Sequence, residues 1–115
     1  MANFLGEFEQ LILFALLRLG DEAYGVTVRN EIESRTGREI SAGAVYTALE
    51  RLEARGFVSS WFGEPTAARG GRRKRHYRIE PAGQRALRRA YEGLQSMASG
   101  VRIKLPKVPE TEVSR

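Results

Sequence analysis

The chain has 115 residues, 42% of them hydrophobic, with no cysteine and one histidine, so it is read as one small domain held by its apolar core without disulfides or a Cys/His metal site. A net charge of +5 conceals an asymmetry: residues 1–68 carry 6 Lys plus Arg against 10 Asp plus Glu, whereas residues 69–115 carry 13 against 4. The positive field is therefore local, as on a surface that meets a polyanion, and the absence of cysteine suits a reducing cytoplasm.

Leu11 to Leu17 is apolar but too short to span a bilayer, and it follows Glu7 and Glu9 where an export signal would carry positive charge. Phe8, Leu11, Ile12, Ala15, Leu16 and Leu19 recur at helical spacing, and Gly20 stops that helix. Leu13, Phe14 and Leu17 fall off the stripe, so the helix is apolar nearly all round. Either a second subunit, meeting Phe14 and Leu17, or the rest of its own chain covers the extra side.

A second helix is expected from Tyr24 to Arg35, with Val28 and Ile32 inward and Gly37 ending it. After a short turn, Ser41 supplies the N-cap of a third helix, and Ile40 with Val45 is spaced as a hydrophobic staple. This helix runs to Gly56. Val45, Ala48, Leu49 and Leu52 gather on one side, leaving Gly43, Tyr46, Thr47, Glu50, Arg51 and Ala54 on the other. Long salt-bridging charges are the usual dress of a merely solvated helix, whereas small residues with a few hydrogen-bonding tips let a helix lie close in the major groove of DNA; a plain surface helix is the competing reading. Thr47 and Arg51 are the candidates for base edges, with Ser41, Gly43 and Tyr46 on the backbone; Arg51 paired to Glu50 or another neighbouring carboxylate is the competing reading.

Phe57 to Phe62 is composed as a strand, Gly63 to Gly71 as a loop, and Arg75 to Ile79 as a second strand with Tyr77 and Ile79 on one face and His76 and Arg78 on the other. Arg69 to Arg78 holds six basic residues and no acidic one, and Gly70-Gly71 lets the backbone turn within it. Gly71, Arg72, Arg73, Lys74 and Arg75 thus form a charged hairpin tip suited to phosphate oxygens. Trp61 is read as packing at its base.

Pro81 opens a last helix, in which Leu87, Tyr91, Leu94, Ala98 and Val101 recur at spacings of four, three, four and three, the seam of a coiled coil. A lone terminal helix buries such a seam by self-association or by packing back on the first helix. Three segments follow: 1–80, the DNA-binding unit; 81–102, the dimerisation helix; and 103–115, a flexible tail with Pro106 and Pro109.

The element order is that of a winged helix-turn-helix, mainly α with a small β-hairpin, and three segments carry a family resemblance. Tyr24-Gly25, the stretch SAGAVYTALERLEARGFV from Ser41 to Val58, and GGRRKRHYRIEPAGQRAL from Gly70 to Leu87 resemble the PadR family of bacterial transcriptional regulators. The resemblance implies a homodimeric repressor on an inverted-repeat operator, with the third helix in a major groove, the wing along the backbone or in the minor groove, and the last helix exchanged across the dimer. It implies that Tyr46 donates to a phosphate and that Gly71, Arg72, Lys74 and Arg75 occupy wing positions. It also implies a small-molecule effector at the dimer interface in many members, though Tyr91 is the only aromatic of the last helix. Thr47 stands where many relatives have proline, Arg73 replaces a common wing proline, and Glu80 replaces a frequent capping threonine.

An enzyme is disfavoured: no cysteine nucleophile exists, the single histidine lies in the wing, and no phosphate loop, zinc motif or calcium loop is present. No cofactor is expected. The remaining alternative is a winged-helix adaptor that binds RNA or a protein without operator preference.

Overall fold

A computed structural model describes residues 4–65, 73–101 and 105–107. In chain order the elements are α1 (Glu7–Leu19), a 3-10 turn (Gly20–Glu22), α2 (Gly25–Thr36), α3 (Ala42–Ala54), β1 (Val58–Phe62), β2 (Arg75–Ile79) and α4 (Pro81–Ala98). The fold is mainly helical with one antiparallel hairpin, as the sequence pattern indicates.

Helix α1 begins at Gly6, whose N–H donates to Glu9 Oε1 at 2.9 Å, and Glu7 and Glu9 place negative charge at the positive end of the helix. It is the central helix, packing on α2, α3, β2 and α4. Its buried residues are Ile12, Leu13, Ala15 and Leu16. The burial of Leu13 corrects its placement off the stripe: neighbours from the same chain cover two adjacent sides, so the apolar face is wider than one helical stripe. Phe14 and Leu17 remain exposed.

Helix α2 starts one residue later than expected. The Tyr24 N–H donates to Thr27 Oγ1 at 3.0 Å, and Gly37, at φ +74°, closes the helix with its N–H on the Glu33 carbonyl. The Glu33 carboxylate then accepts from the Ile40 N–H at 2.9 Å, which shapes the short turn into α3. There the Ser41 hydroxyl accepts from the Ala44 N–H at 3.1 Å, Ile40 packs against the core, and Val45, Ala48, Leu49 and Leu52 are buried. Gly56, at φ +79°, turns the chain out of α3 and into β1.

The strands pair from Val58 with Ile79 to Phe62 with Arg75. A two-stranded sheet is marginal alone, and here it gains a third partner: the Tyr77 N–H donates to the Ala23 carbonyl at 2.9 Å, and Tyr24 bridges to His76. Tyr77 is buried in the core, and that burial pushes its phenol up against the opposing pull of Arg75, so it stays neutral.

Pro81 takes the first position of α4, as expected. Glu80 makes no side-chain cap; its carboxylate accepts the Ser59 hydroxyl instead, and its N–H donates to the Phe57 carbonyl. Gly83 lets α4 sit directly on the sheet, since a Cβ there would collide with the Phe57 carbonyl. Ala86 and Leu87 complete the core, and every residue from Tyr91 to Gly100 is exposed. The helix ends at Ala98 rather than at 102, because Ser99 is extended and Gly100 takes φ +80°. Val101 therefore lies in the following turn, outside the helical seam.

Candidate nucleic-acid interface

The outward side of α3 carries Gly43, Tyr46, Thr47, Glu50, Arg51 and Ala54, all exposed, with Ser41 exposed at its start. A Cβ at Gly43 would meet open space, so the helix surface there is low and unobstructed. The Arg51 side chain makes no hydrogen bond or ion pair among the described residues, which removes the expected competition from Glu50. A guanidinium without an internal carboxylate keeps its five donors for an external acceptor.

Tyr46 is only partly free. Its ring and hydroxyl lie against Gly25, the first residue of α2, where any Cβ would collide with them. The preceding Tyr24 receives Lys74 from the wing: Nζ donates to the Tyr24 hydroxyl at 3.2 Å and stands 4.4 Å from the ring centroid. The Tyr24-Gly25 pair thus brings the α3 tyrosine and a wing lysine together at the start of α2. That end of a helix carries partial positive charge, and the Lys74 ammonium adds to it.

The wing base is tied to the same corner. The His76 ring stacks on Trp61, with centroids 5.3 Å apart and planes 17° apart, and meets Tyr24 edge-on at 5.5 Å. Its Nδ1 lies 2.9 Å from the Asp21 carbonyl; since a carbonyl only accepts, Nδ1 carries the proton and donates. Arg78 covers the other part of Trp61, 4.7 Å from its centroid. Trp61 accordingly packs at the wing base, as its composition-based reading has it.

The basic residues are not equivalent. Arg73 Nε donates to the Gly63 carbonyl at 3.0 Å and its guanidinium lies 5.6 Å from the Phe62 ring, within the hairpin. Arg75 turns inward, to Ser60 and Glu53. Gly71 and Arg72 lie outside the described residues. Sequence reasoning passed over Tyr24, Gly25 and Glu53 as site residues; the Tyr24-Gly25 motif was the available signal for the first two, and no local pattern marks the third.

The second uncovered surface is on α4. Leu94 is 61% and Met97 79% exposed, and Tyr91 packs edge-on against Phe14 at 6.0 Å, beside exposed Leu17. Leu87 is already buried within its own chain, which leaves Tyr91, Leu94 and Ala98 as the outward part of the seam. No helix of the described residues is long and apolar enough to cross a membrane, and among them no cluster of three or more His, Cys, Asp or Glu could hold a metal ion.

The family model described as transcriptional regulator PadR-like family matches residues 13–89, from α1 through the first half of α4. The chain belongs to the PadR-like family of transcriptional regulators. It is 36% identical over 81 residues to the transcriptional regulator Rv3488 of Mycobacterium tuberculosis, covering 70% of this chain and 71% of that protein. Among solved structures, a transcriptional regulator from Clostridium thermocellum superposes with TM-score 0.67 at 30% identity, covering 86% of this chain and 92% of that one. A PadR family regulator from Clostridium difficile gives TM-score 0.72 at 24% identity, covering 88% and 100%, and shows the shared fold. This PadR-like chain is a DNA-binding regulator of transcription and not an enzyme.

Proposed function

We propose that this PadR-like protein is a cytoplasmic repressor that binds an inverted-repeat operator as a homodimer. The observation that carries the reading is the convergence of α3 and the wing: Tyr46 rests on Gly25 while Lys74 reaches the adjoining Tyr24, so groove-reading and phosphate-binding parts share one face. Ser41, Gly43 and Tyr46 hold α3 on the backbone, Thr47 and Arg51 meet base edges, and Arg72, Arg73 and Lys74, with Gly71 allowing close approach, neutralise phosphates.

Dimerisation through Phe14, Leu17, Tyr91, Leu94 and Ala98, with Leu87 and Val101 bordering the seam, covers the apolar side of α4. It also sets two α3 helices about 34 Å apart, the repeat of the major groove on one face of B-DNA. The same side offers a small-molecule effector a place: a groove of about 660 Å³ between the residues before α1 and α4, lined by Phe4, Leu5, Arg89, Leu94 and Met97 among others.

Salt dependence tests the wing. If Arg72, Arg73 and Lys74 of each subunit each neutralise one phosphate, log affinity falls with log salt at a slope of about -5 for the dimer. Replacing Arg72 and Lys74 together by alanine is expected to weaken binding to all duplexes and to bring the slope to about one third. An unchanged slope in that double variant would refute the wing assignment.

A further inference from the structure

Glu53 in the last turn of α3, Ser60 of β1 and Arg75 at the start of β2 form a closed hydrogen-bonded ring. Arg75 Nη2 donates to Glu53 Oε1 at 3.1 Å and Arg75 Nε to Ser60 Oγ at 3.1 Å, while the Ser60 hydroxyl donates to Glu53 Oε2 at 2.8 Å. Ser60 donates and accepts at once, and both carboxylate oxygens are engaged. The Arg75 guanidinium is further flanked by the Phe62 and Tyr77 rings, each centroid 5.7 Å away. Among the described residues, Arg73 and Lys74 have no carboxylate partner; Arg75 does, and the partner sits on α3.

Two consequences follow. A carboxylate about 3 Å from the guanidinium cancels most of the charge that a phosphate would respond to, so Arg75 adds little to counterion release. The pair is also about one-third to two-fifths exposed, a setting in which ion pairs contribute little to folding stability. What the ring does fix is geometry, since it joins three elements that must meet DNA together.

We propose that Arg75 is a positioning residue: acting through Glu53 and Ser60, it sets the wing against α3 and does not itself meet a phosphate. The inference rests on the DNA-binding mode of the preceding section and gives Arg75, which lies outside the cations named there, a separate role.

The test is a double-mutant cycle of Glu53→Gln and Arg75→Gln in the full chain. Affinity is measured across a salt series on two probes: a random-sequence duplex pool, and the duplex that the unaltered protein enriches from it. Each single variant is expected to lose roughly tenfold on the enriched duplex, within the range of couplings in one ion-pair network, and the double variant no more than either. The slope on random duplex stays unchanged. Ser60→Ala, which alters no charge, gives a smaller loss of the same kind and keeps the test valid if Arg75→Gln folds poorly.

Tighter binding by Glu53→Gln, or a slope reduced by about one for each Arg75 removed, would overturn the inference, since a freed or contacting cation behaves that way. Additive losses in the double variant would overturn it as well. Failure of the underlying DNA-binding mode shows in the unaltered chain as absent salt-dependent duplex binding, whereas failure of the positioning role shows only in the variants.

Discussion

The outer faces of α3 and α4 are both uncovered, but in opposite ways. On α3 the exposed groups include a glycine, the hydroxyls of Tyr46 and Thr47, the Glu50 carboxylate and Arg51, which has no carboxylate partner among the described residues; water satisfies these groups, and a polar polymer could satisfy the donors among them instead. On α4 they include Tyr91, Leu94 and Met97, for which water is a poor partner. One face fits a duplex; the other fits a second apolar surface. In the dimer proposed above, a second copy of the chain supplies that surface and, in the same step, a second α3.

The largest expected effect comes from breaking the apolar face. Leu94→Asp places a charge in the seam without touching the subunit core, since Leu94 is 61% exposed in the single chain. Sedimentation should show a monomer with native helicity, and affinity for the enriched duplex should fall by about 10³-fold, toward non-specific binding. A variant that remains dimeric would place the interface elsewhere.

On the polar face, Arg51→Ala is expected to weaken the enriched duplex by about 1 to 3 kcal/mol and random duplex hardly at all. Equal weakening on both would make Arg51 a phosphate contact. Gly25→Ala sharpens the role of Tyr46: the added Cβ displaces the tyrosine ring from the start of α2, so both duplexes should weaken by about 1.5 kcal/mol, the worth of one hydrogen bond to a charged group. Titrations of the two probes side by side read out both variants.

Glu31 gives a control on a surface outside both proposed interfaces. Its carboxyl is held below the usual range by the hydrogen bond from Arg35, with Arg18 of α1 adding to it against the opposing effect of desolvation. A lowered folded pKa means stability that is present above the unfolded value and lost as pH falls through the folded one. Glu31→Gln should therefore unfold slightly earlier than the parent near neutral pH and converge with it in acid. Dimer mass and duplex affinity should not move.

Much of this architecture is written locally. The Ser41 cap, the inward Val45, Ala48, Leu49 and Leu52, the span Arg75–Ile79 and Pro81 at the start of α4 each follow from the spacing or chemistry of neighbouring residues, and the structure reproduces them. Leu13 was misplaced because a periodicity rule assumes one buried stripe, while a central helix is covered on several sides. The bridge from Tyr24 to His76 and the ring of Glu53, Ser60 and Arg75 join residues far apart in sequence, and no local pattern encodes such pairings. The basic run Arg69 to Arg78 shows the limit most plainly: its composition marks a polyanion surface, yet it does not tell which arginine faces outward and which turns toward α3.

The most direct measurement is to sequence the duplexes that the purified protein retains from a random pool at physiological salt. A two-fold binding unit requires a palindromic consensus whose half-site centres lie about 10 base pairs apart. Retention of a single asymmetric half-site, or of duplexes with no shared sequence, would contradict it.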